Sequence, residues 1–257
     1  MTLSGSFLAF SGSVTGRDHR RAERDGQDGY AVVGTDDVVA AIVTDGCSSG
    51  RASEIGARVG AAWLAALVAR RFARIDAPDA LDEAALVRAA TDVTRELLDR
   101  LEVLARSFDP AGEVGSACVG DALLFGFLAA VVTPHGAIVF GVGDGIVAVG
   151  ARLTSIDPGP ENAPPYLAYG LLGQRALLAP CIHFVGSTTA VEILAVATDG
   201  AAPLVAATDP DASLTALVRD PRLAKNPSLL RKRLVVLSDR GTFSDDTTIA
   251  VVRRRPS

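Results

Sequence analysis

Asp-Gly dipeptides are the residues of this sequence whose type and spacing point most directly to chemistry. The sequence contains five of them, whereas 22 Asp and 25 Gly among 257 residues would give about two by chance. Asp45, Asp144 and Asp199 each follow an apolar run typical of a buried strand. Burying an unpaired carboxylate is costly, and a hard divalent cation is its simplest compensation. A single Asp-Gly pair is usually a plain turn, so the prediction of a cation site depends on the whole set.

The C-terminal sequence adds acids in a similar position. Ser244-Asp245-Asp246-Thr247 stands directly ahead of the last apolar run, TTIAVV. Ends of different strands can meet in space although they lie far apart in the sequence. The glycine after each aspartate allows a sharp turn and lets its carbonyl oxygen approach a cation closely. We therefore expect acids from several strand ends to converge.

Composition and charge exclude several classes of protein. With 49% apolar and 21% charged residues, the chain can form one sizeable core and is not mainly disordered. A net charge of -5 argues against a dedicated nucleic-acid binder, which needs a basic footprint. The three cysteines lie far apart, without the spacing of a zinc site or a disulfide framework. We therefore expect a reducing environment and a cytoplasmic location.

The apolar stretch 122–143 has the length of a membrane span, but we expect no membrane segment. The stretch contains no Asp, Glu, Lys or Arg. Pro134-His135-Gly136 interrupts it in the middle, which favours two buried strands joined by a turn. The N-terminus lacks the basic region and long apolar core of a secretory signal.

Short runs rich in Val, Ile and Phe predict a sheet-containing fold of the α+β class. Neighbouring runs joined by short turns at 34–37, 134–136 and 143–145 imply antiparallel pairs, because parallel strands need long crossovers. The predicted strands are 7–14, 30–33, 38–43, 125–132, 137–142, 146–149, 191–197 and 247–252.

Apolar residues at helical spacing predict two long helices, 53–74 and 81–106, which the break at 76–79 separates. We expect these helices to form an antiparallel pair packed on one face of a sheet. Residues 209–217 and 228–234 can supply a second, shorter helical layer.

The segment 154–180 is rich in Pro and Gly and predicts an ordered excursion or flap. No repeat, low-complexity tract or linker divides the sequence. Residues 1–257 are therefore predicted to form a single domain.

The acidic motifs resemble those of the metal-dependent protein phosphatases of the PP2C (PPM) type, in particular their compact bacterial subgroup. They occur in the order of that family from residue 16 to the end of the chain, and five motifs in register are far more specific than any one alone. The motifs are Gly16-Arg17-Asp18-His19 leading to Gln27-Asp28; Thr44-Asp45-Gly46 with Ser48-Ser49-Gly50 and Ser53-Glu54-Ile55-Gly56-Ala57; Gly143-Asp144-Gly145; Ala197-Thr198-Asp199-Gly200; and Ser244-Asp245-Asp246-Thr247.

The resemblance implies a four-layer αββα sandwich of two antiparallel sheets flanked by antiparallel helix pairs, with two Mn²⁺ or Mg²⁺ ions in a cleft. Carried over position by position, Asp45 would bridge the ions and the Gly46 carbonyl would bind one of them. Asp199 and Asp245 would hold the other ion. Asp28 would accept hydrogen bonds from water on the metals. Together these four aspartates are the expected catalytic set.

The implied reaction is hydrolysis of a phosphate monoester. Two closely spaced divalent cations activate a water, neutralise the phosphoryl oxygens and support in-line displacement. Arginine suits phosphate geometrically, and the family has one a few residues upstream of its first acid. Arg24 is nearest to that position, offset by one residue, with Arg17, Arg20 and Arg21 as alternatives. His19 either contacts phosphate or is a surface histidine in a basic turn.

The sequence departs from the family pattern at several positions. Gln27 stands where many members have Glu, which implies a neutral or water-mediated contact and a weaker ion site. Cys47 replaces a histidine that protonates the leaving oxygen in some eukaryotic relatives, so that acid is unassigned and Cys47 is either an oxidisable thiol or a buried filler. No further acid follows Gly200 closely, so a third metal is not expected. For Asp144 and Asp246 we expect supporting roles rather than metal binding.

Three functional hypotheses follow. The first is a metal-dependent protein serine/threonine phosphatase acting on phosphoserine and phosphothreonine in proteins, the products of a serine/threonine kinase. Gln27 and Cys47 favour a second hypothesis, a catalytically weak PP2C-fold module that binds phosphopeptides or has a regulatory role. The third is a metal-dependent hydrolase of a small phosphate ester. The segment 154–180 is expected to select substrates, and its deletion to spare hydrolysis of aryl phosphates.

Overall fold

The computed structural model describes residues 2–76, 81–109, 111–173, 179–208 and 213–256. Within these residues ten strands form two antiparallel sheets of five strands each. The first sheet has the order β1 (Phe7–Val14), β10 (Thr247–Arg254), β9 (Ile193–Ala197), β6 (Gly145–Val149) and β7 (Arg152–Ile156). The second has the order β2 (Gly29–Gly34), β3 (Val39–Gly46), β4 (Phe125–Thr133), β5 (Gly136–Val142) and β8 (Cys181–Gly186).

The helices that the structure describes differ widely in length. Two are long, α3 (Ser53–Phe72) and α4 (Glu83–Ser107). The short ones are α1 (Leu3–Ser6), α2 (Arg17–Arg21), α5 (Ser116–Cys118), α6 (Ala202–Val205), α7 (Leu214–Arg219) and α8 (Leu229–Asp239). A π-helical turn covers Val119–Leu123, and 3-10 turns cover Pro160–Asn162, Leu167–Leu172, Thr188–Ala190, Asp199–Ala201 and Pro221–Ala224. Among the described helices, none combines the length and the apolar character that crossing a membrane requires.

Three buried apolar clusters separate four layers of structure. One lies between the α3–α4 pair and the second sheet, one between the two sheets, and one between the first sheet and helices α7 and α8. In β3, Ala40 and Ile42 pack toward the helices, whereas Val39, Ala41 and Val43 pack against the other sheet. Because both faces of this strand are buried, its sequence is a continuous apolar run. The fold is the predicted αββα sandwich of the α+β class.

Helices α3 and α4 form the predicted antiparallel pair. Arg71, at the C-terminal end of α3, makes an ion pair with Glu96 in the middle of α4 (2.8 Å). Trp63, in the middle of α3, lines one cavity with Leu104, near the C-terminal end of α4. The side chain of Asp82 caps the start of α4 by accepting a hydrogen bond from a backbone N–H (2.8 Å). The pair therefore covers the second sheet as one layer.

Two glycines let the N-terminal half of α3 lie close to the second sheet. A Cβ atom at Gly56 would collide with the carbonyl oxygen of Ala122, and one at Gly60 would collide with the ring of Phe125. Phe125 is fully buried and pairs with Gly46 at the end of β3. This packing holds the start of α3 and the loop before it against the end of β3.

The predicted antiparallel pairing across the turn 143–145 is wrong. β5 lies in the second sheet, whereas β6 lies in the first. β5 pairs with β4 on one edge and β8 on the other, so no edge is left for β6. The chain crosses between the sheets at Gly143-Asp144-Gly145, where the two glycines have φ of 105° and 128°. Such positive φ values favour glycine.

All eight predicted strands are present, with boundaries that differ by a few residues, but the sequence analysis misses β7 and β8. These two strands lie at sheet edges, and most of their side chains are at least partly exposed. They therefore lack the apolar runs on which the strand predictions depend. Of the predicted helix 209–217, the first four residues lie outside the described residues, and α7 supplies the rest. Most of the break at 76–79 also lies outside them.

The predicted flap 154–180 contributes a few side chains to the core, whereas most of its other described residues are exposed or partly exposed. Residues 174–178 lie outside the described residues. Leu167 and Ala168 are fully buried in the cluster between the helices and the second sheet, and Tyr166 is nearly so. Deletion of 154–180 would therefore remove core side chains together with exposed ones.

Core packing of α4 should dominate its contribution to stability. Leu97 is fully buried, and we expect Leu97→Ala to lower the free energy of unfolding by about 2–5 kcal/mol, because the change leaves a cavity. Val103, on the same helix, is 70% exposed, and Val103→Ala should change it by less than about 0.5 kcal/mol. Urea unfolding measures both values. Equal effects of the two substitutions would contradict the described packing.

Candidate metal centre

The acids that the sequence analysis identifies line one cavity with a volume of about 70 Å³. Such a volume accommodates only a few water-sized groups. The described residues that line it are His19, Gln27, Asp28, Asp45, Gly46, Ser48, Asp144, Pro164, Tyr166, Asp199, Asp245 and Asp246.

Strand pairing explains why acids that are distant in the sequence meet here. Because β2 begins where β3 ends, Asp28 lies beside Asp45. Because β10 begins where β9 ends, Asp245 lies near Asp199. Asp144 joins them from the crossing between the two sheets. The predicted convergence of Asp45, Asp199 and Asp245 is present in the fold.

Burial and mutual repulsion raise the pKa values of these carboxyl groups. Burial raises the pKa of Asp45 well above its ordinary value of 3.8, and the neighbouring negative charges of Asp28, Asp199 and Asp144 raise it further. Burial is also the main reason why the pKa values of Asp28, Asp144 and Asp245 are raised, and nearby aspartates add to each. The protein thus holds several carboxyl groups close together in a cavity that is partly shielded from solvent.

Asp246 differs from its neighbour Asp245 in having its oxygen atoms occupied. Its carboxylate accepts hydrogen bonds from the backbone N–H of Gly16 (2.7 Å) and of Gln27 (2.5 Å). The Nδ1 of His19 donates a third (2.9 Å), in the tautomer that a carboxylate acceptor requires. The Asp246 side chain is 4% exposed and that of Asp245 is 53% exposed. Asp246 therefore joins two segments of the site, the α2 segment and Gln27, to the start of β10. Asp245 Oδ1 accepts the backbone N–H of Asp246 (2.8 Å), and its Oδ2 is the oxygen left available to a ligand.

His19 reaches the cavity from α2 and lies within 4.0 Å of Asp245. The helix is held at the start of β10, because the backbone N–H groups of Arg17 and Asp18 donate to the carbonyls of Phe243 (3.2 Å) and Ser244 (3.0 Å). His19 is therefore an oriented part of the site rather than a surface histidine.

Asp28 is anchored from the opposite sheet. Thr198 Oγ1 donates to Asp28 Oδ2 (2.9 Å). Thr198 Oγ1 itself accepts the backbone N–H of Thr248 (3.0 Å). One carboxylate oxygen of Asp28 is therefore engaged with the protein.

Gln27 has its amide nitrogen satisfied and its amide oxygen unsatisfied. The nitrogen donates to Ser53 Oγ (2.7 Å), to the carbonyl of Gly50 (3.2 Å) and, more weakly, to that of Cys47 (3.4 Å). The oxygen Oε1 is buried and has no hydrogen-bond partner among the described residues. These contacts identify the nitrogen and the oxygen of the amide. Oε1 is therefore a hydrogen-bond acceptor that has no donor among the described residues, on a side chain that lines the cavity with the acids.

The structure does not place Arg24 in the cavity lining. Its guanidinium donates to the carbonyl of Gly50 (2.8 Å), the same carbonyl that Gln27 contacts. Cys47 is buried, and its Sγ lies 3.1 Å from Ser49 Oγ. The side chain predicted to bind phosphate therefore braces the loop after β3.

Sequence reasoning missed three lining residues, Ser48, Pro164 and Tyr166. Ser48 lies within the motif Ser48-Ser49-Gly50, whose residue types alone indicate no role for it. Pro164 and Tyr166 belong to the Pro- and Gly-rich segment, whose composition signalled an excursion but not its contact with the acids. Their position in the cavity follows from tertiary packing alone.

A sequence model of the family Protein phosphatase 2C matches residues 15–235, most of the chain. The chain belongs to the protein phosphatase 2C family. The match confirms the resemblance that the acidic motifs indicate. A comparison with curated proteins found no match.

Solved structures of PP2C enzymes share the fold at low sequence identity. Serine-threonine phosphatase 2C from Toxoplasma gondii is 16% identical, with a TM-score of 0.63 over 97% of this chain and 95% of that one. Stp1 from Staphylococcus aureus is 14% identical, with a TM-score of 0.56 over 98% and 97%. The catalytic domain of PstP, in complex with 2 manganese ions, is 15% identical, with a TM-score of 0.50 over 98% and 99%. These likenesses bear out the PP2C fold.

The residues present in this PP2C cavity fit hard divalent cations. The aspartate side chains provide carboxylate oxygens, Gly46 provides a backbone carbonyl oxygen, and Gln27 provides an amide oxygen without a hydrogen-bond donor. Mg²⁺ and Mn²⁺ prefer such oxygen donors. A cation would also offset the repulsion that raises the aspartate pKa values.

Asp246→Ala should damage the PP2C fold more than Asp245→Ala. The first change removes an acceptor from two buried N–H groups and should lower the free energy of unfolding by about 2–4 kcal/mol. The second removes a half-exposed charge from a repulsive cluster and should be neutral or stabilising without metal. Chemical denaturation in EDTA measures both. Equal destabilisation would refute the division of roles between the two acids.

The metal-free protein should lose stability as the pH rises. Because the folded-state pKa of Asp45 is raised, the favourable contribution of its protonated form is complete below about pH 4 and disappears as the pH rises through the raised pKa. At pH 7 in EDTA, Asp45→Asn should therefore be more stable than wild type by about 1 kcal/mol or more. The difference should vanish near pH 4. Thermal unfolding across this range checks it, and a difference that grows on acidification would contradict it.

Proposed function

We propose that this protein hydrolyses phosphoserine and phosphothreonine monoesters in proteins, using two Mn²⁺ or Mg²⁺ ions. The observation that carries the proposal is the convergence of Asp45, Asp199 and Asp245 on one cavity of a PP2C fold. The serine/threonine phosphatases among its structural neighbours support the substrate class, and the two manganese ions of PstP support the metal count.

Each ligand has a distinct place in the proposed site. Asp45 and the Gly46 carbonyl would hold metal from the end of β3, and Asp199 and Asp245 would hold it from the ends of β9 and β10. Asp28 has one oxygen on Thr198 and would use the other to orient water. When bound, the cations supply an activated water and neutralise the phosphoryl oxygens.

The protein side of the chemistry is preorganisation. Strand ends hold the acids around one cavity before any cation binds. Among the described residues, His19, Asp245 and Asp246 already have ligand atoms within 4.8 Å of one another, whereas Asp45 and Asp199 would have to move closer to Asp245 to share a cation with it. Gln27 Oε1 and the carboxylate of Asp28 would accept hydrogen bonds from water in the cavity. The substrate would be a phosphorylated protein, the product of a serine/threonine kinase, and we propose that the protein meets it in the cytoplasm.

A catalytically weak phospho-binding or regulatory module is the second candidate. The observation that favours it is the neutral Gln27 combined with the engagement of Arg24 on Gly50. Calorimetry separates the two proposals, because the module would bind a phosphopeptide with weak or absent Mn²⁺ uptake.

The phosphatase proposal predicts Mn²⁺-dependent turnover of p-nitrophenyl phosphate and of a phosphothreonine peptide by the purified protein. Asp45→Asn should lower kcat/KM by about 100-fold or more, because it removes a proposed metal ligand. Asp92→Asn is the matched control, because the side chain of Asp92 is half-exposed on α4, away from the cavity, and the kcat/KM of this variant should equal that of wild type. Absence of metal-dependent turnover in wild type, or full activity of Asp45→Asn, would refute the proposal.

A further inference from the structure

The cavity wall contains many acceptors and few free hydrogen-bond donors. Among the described lining residues there is no Lys or Arg. The amide nitrogen of Gln27 and the Nδ1 of His19 are already engaged. The remaining side-chain donors are the hydroxyl groups of Ser48 and Tyr166, and that of Tyr166 contacts the thiol of Cys47. A phosphoryl group has only acceptor oxygens, so any contact that it makes with a side chain must come from such donors.

Tyr166 is held much more rigidly than Ser48. The Tyr166 residue is 9% exposed, and the two residues that follow it are fully buried. Its ring packs against that of Tyr169, with centroids 5.6 Å apart. Ser48 lies on an exposed loop. The core therefore fixes the Tyr166 ring, and with it the direction of the phenol.

The phenol lies among the groups that surround the proposed metals. Burial raises the pKa of Tyr166 far above 10, and the neighbouring Cys47, Asp45 and Asp144 raise it further. A phenol, whose ordinary pKa is about 10, is neutral and carries its proton at physiological pH. A neutral donor adds a hydrogen bond without competing with the cations for the acids.

We propose that the Tyr166 hydroxyl donates a hydrogen bond to a phosphoryl oxygen of the substrate in this cavity, which makes Tyr166 part of the active site. This inference rests on the proposed function for its substrate. No proton is transferred: the O–H bond stays intact, and the phenol orients the phosphoryl group. Tyr166 then contributes to hydrolysis of every phosphate ester, including aryl phosphates, rather than only to the preference for peptides.

Tyr166→Phe and Tyr169→Phe make a matched pair, since each removes one hydroxyl and keeps the ring. Tyr169 packs on Tyr166 but does not line the cavity. The probe is inorganic phosphate, titrated by calorimetry into the Mn²⁺-loaded protein and used as a competitive inhibitor of p-nitrophenyl phosphate hydrolysis. Tyr166→Phe should weaken phosphate binding about 10- to 100-fold, the loss expected for a hydrogen bond to a charged group. Its Tm and Mn²⁺ affinity should match wild type, and Tyr169→Phe should bind phosphate normally.

The outcomes separate this inference from the proposed function. Turnover in wild type with unchanged phosphate binding in Tyr166→Phe would overturn the role of Tyr166 and leave the phosphatase proposal standing. No turnover in wild type, but phosphate binding that Tyr166→Phe weakens, would overturn the phosphatase proposal and support the phosphate contact. Loss of Mn²⁺ affinity without loss of phosphate affinity would place the hydroxyl on Asp45 instead. Absence of phosphate binding in wild type would overturn the inference outright.

Discussion

Electrostatic repulsion among clustered, mostly partly buried aspartates is the constraint on which this structure depends. Asp28, Asp45, Asp144, Asp199 and Asp245 line one small cavity, and burial together with their neighbours raises the pKa of four of them. Asp246 is the exception, because two backbone N–H groups and His19 donate hydrogen bonds to its carboxylate. The others have no comparable set of donors among the described residues. The site therefore costs stability that a cation would restore.

The fold tolerates this cost because the scaffold around the site is deeply buried. Central strands are covered on both faces, and the acids stand at their ends, where the backbone is held by neighbouring strands. Glycines in α3 bring the loop after β3 against this edge. Side chains on rigid strand ends hold their geometry better than side chains on free loops. Pro164 and Tyr166, from the Pro- and Gly-rich segment, line the same cavity.

Local sequence patterns predict the layers and the acids well, and predict contacts across the fold poorly. Strands buried on both faces, such as β3 and β4, are continuous apolar runs and are recognisable alone. The edge strands β7 and β8 have no such signal. The glycine-bounded turn after β5 looks like a hairpin, and only the occupied edges of β5 reveal the crossing to the other sheet.

The same limit applies within the site. Asp245 and Asp246 are adjacent and chemically alike, yet their roles differ because one side chain meets three donors and the other faces the cavity. Arg24 has the right type and nearly the right spacing for phosphate, but a carbonyl of the neighbouring loop takes its guanidinium. Tyr166 carries no motif, so its place beside Asp45 is visible only in the folded chain.

Anomalous scattering from a crystal soaked in MnCl₂ tests the central claim most directly. We predict two peaks about 3.5–4 Å apart, in contact with Asp45, Asp199 and Asp245. A soaked crystal with no peak among these carboxylates would contradict the account, because their convergence would then have a cause other than metal binding.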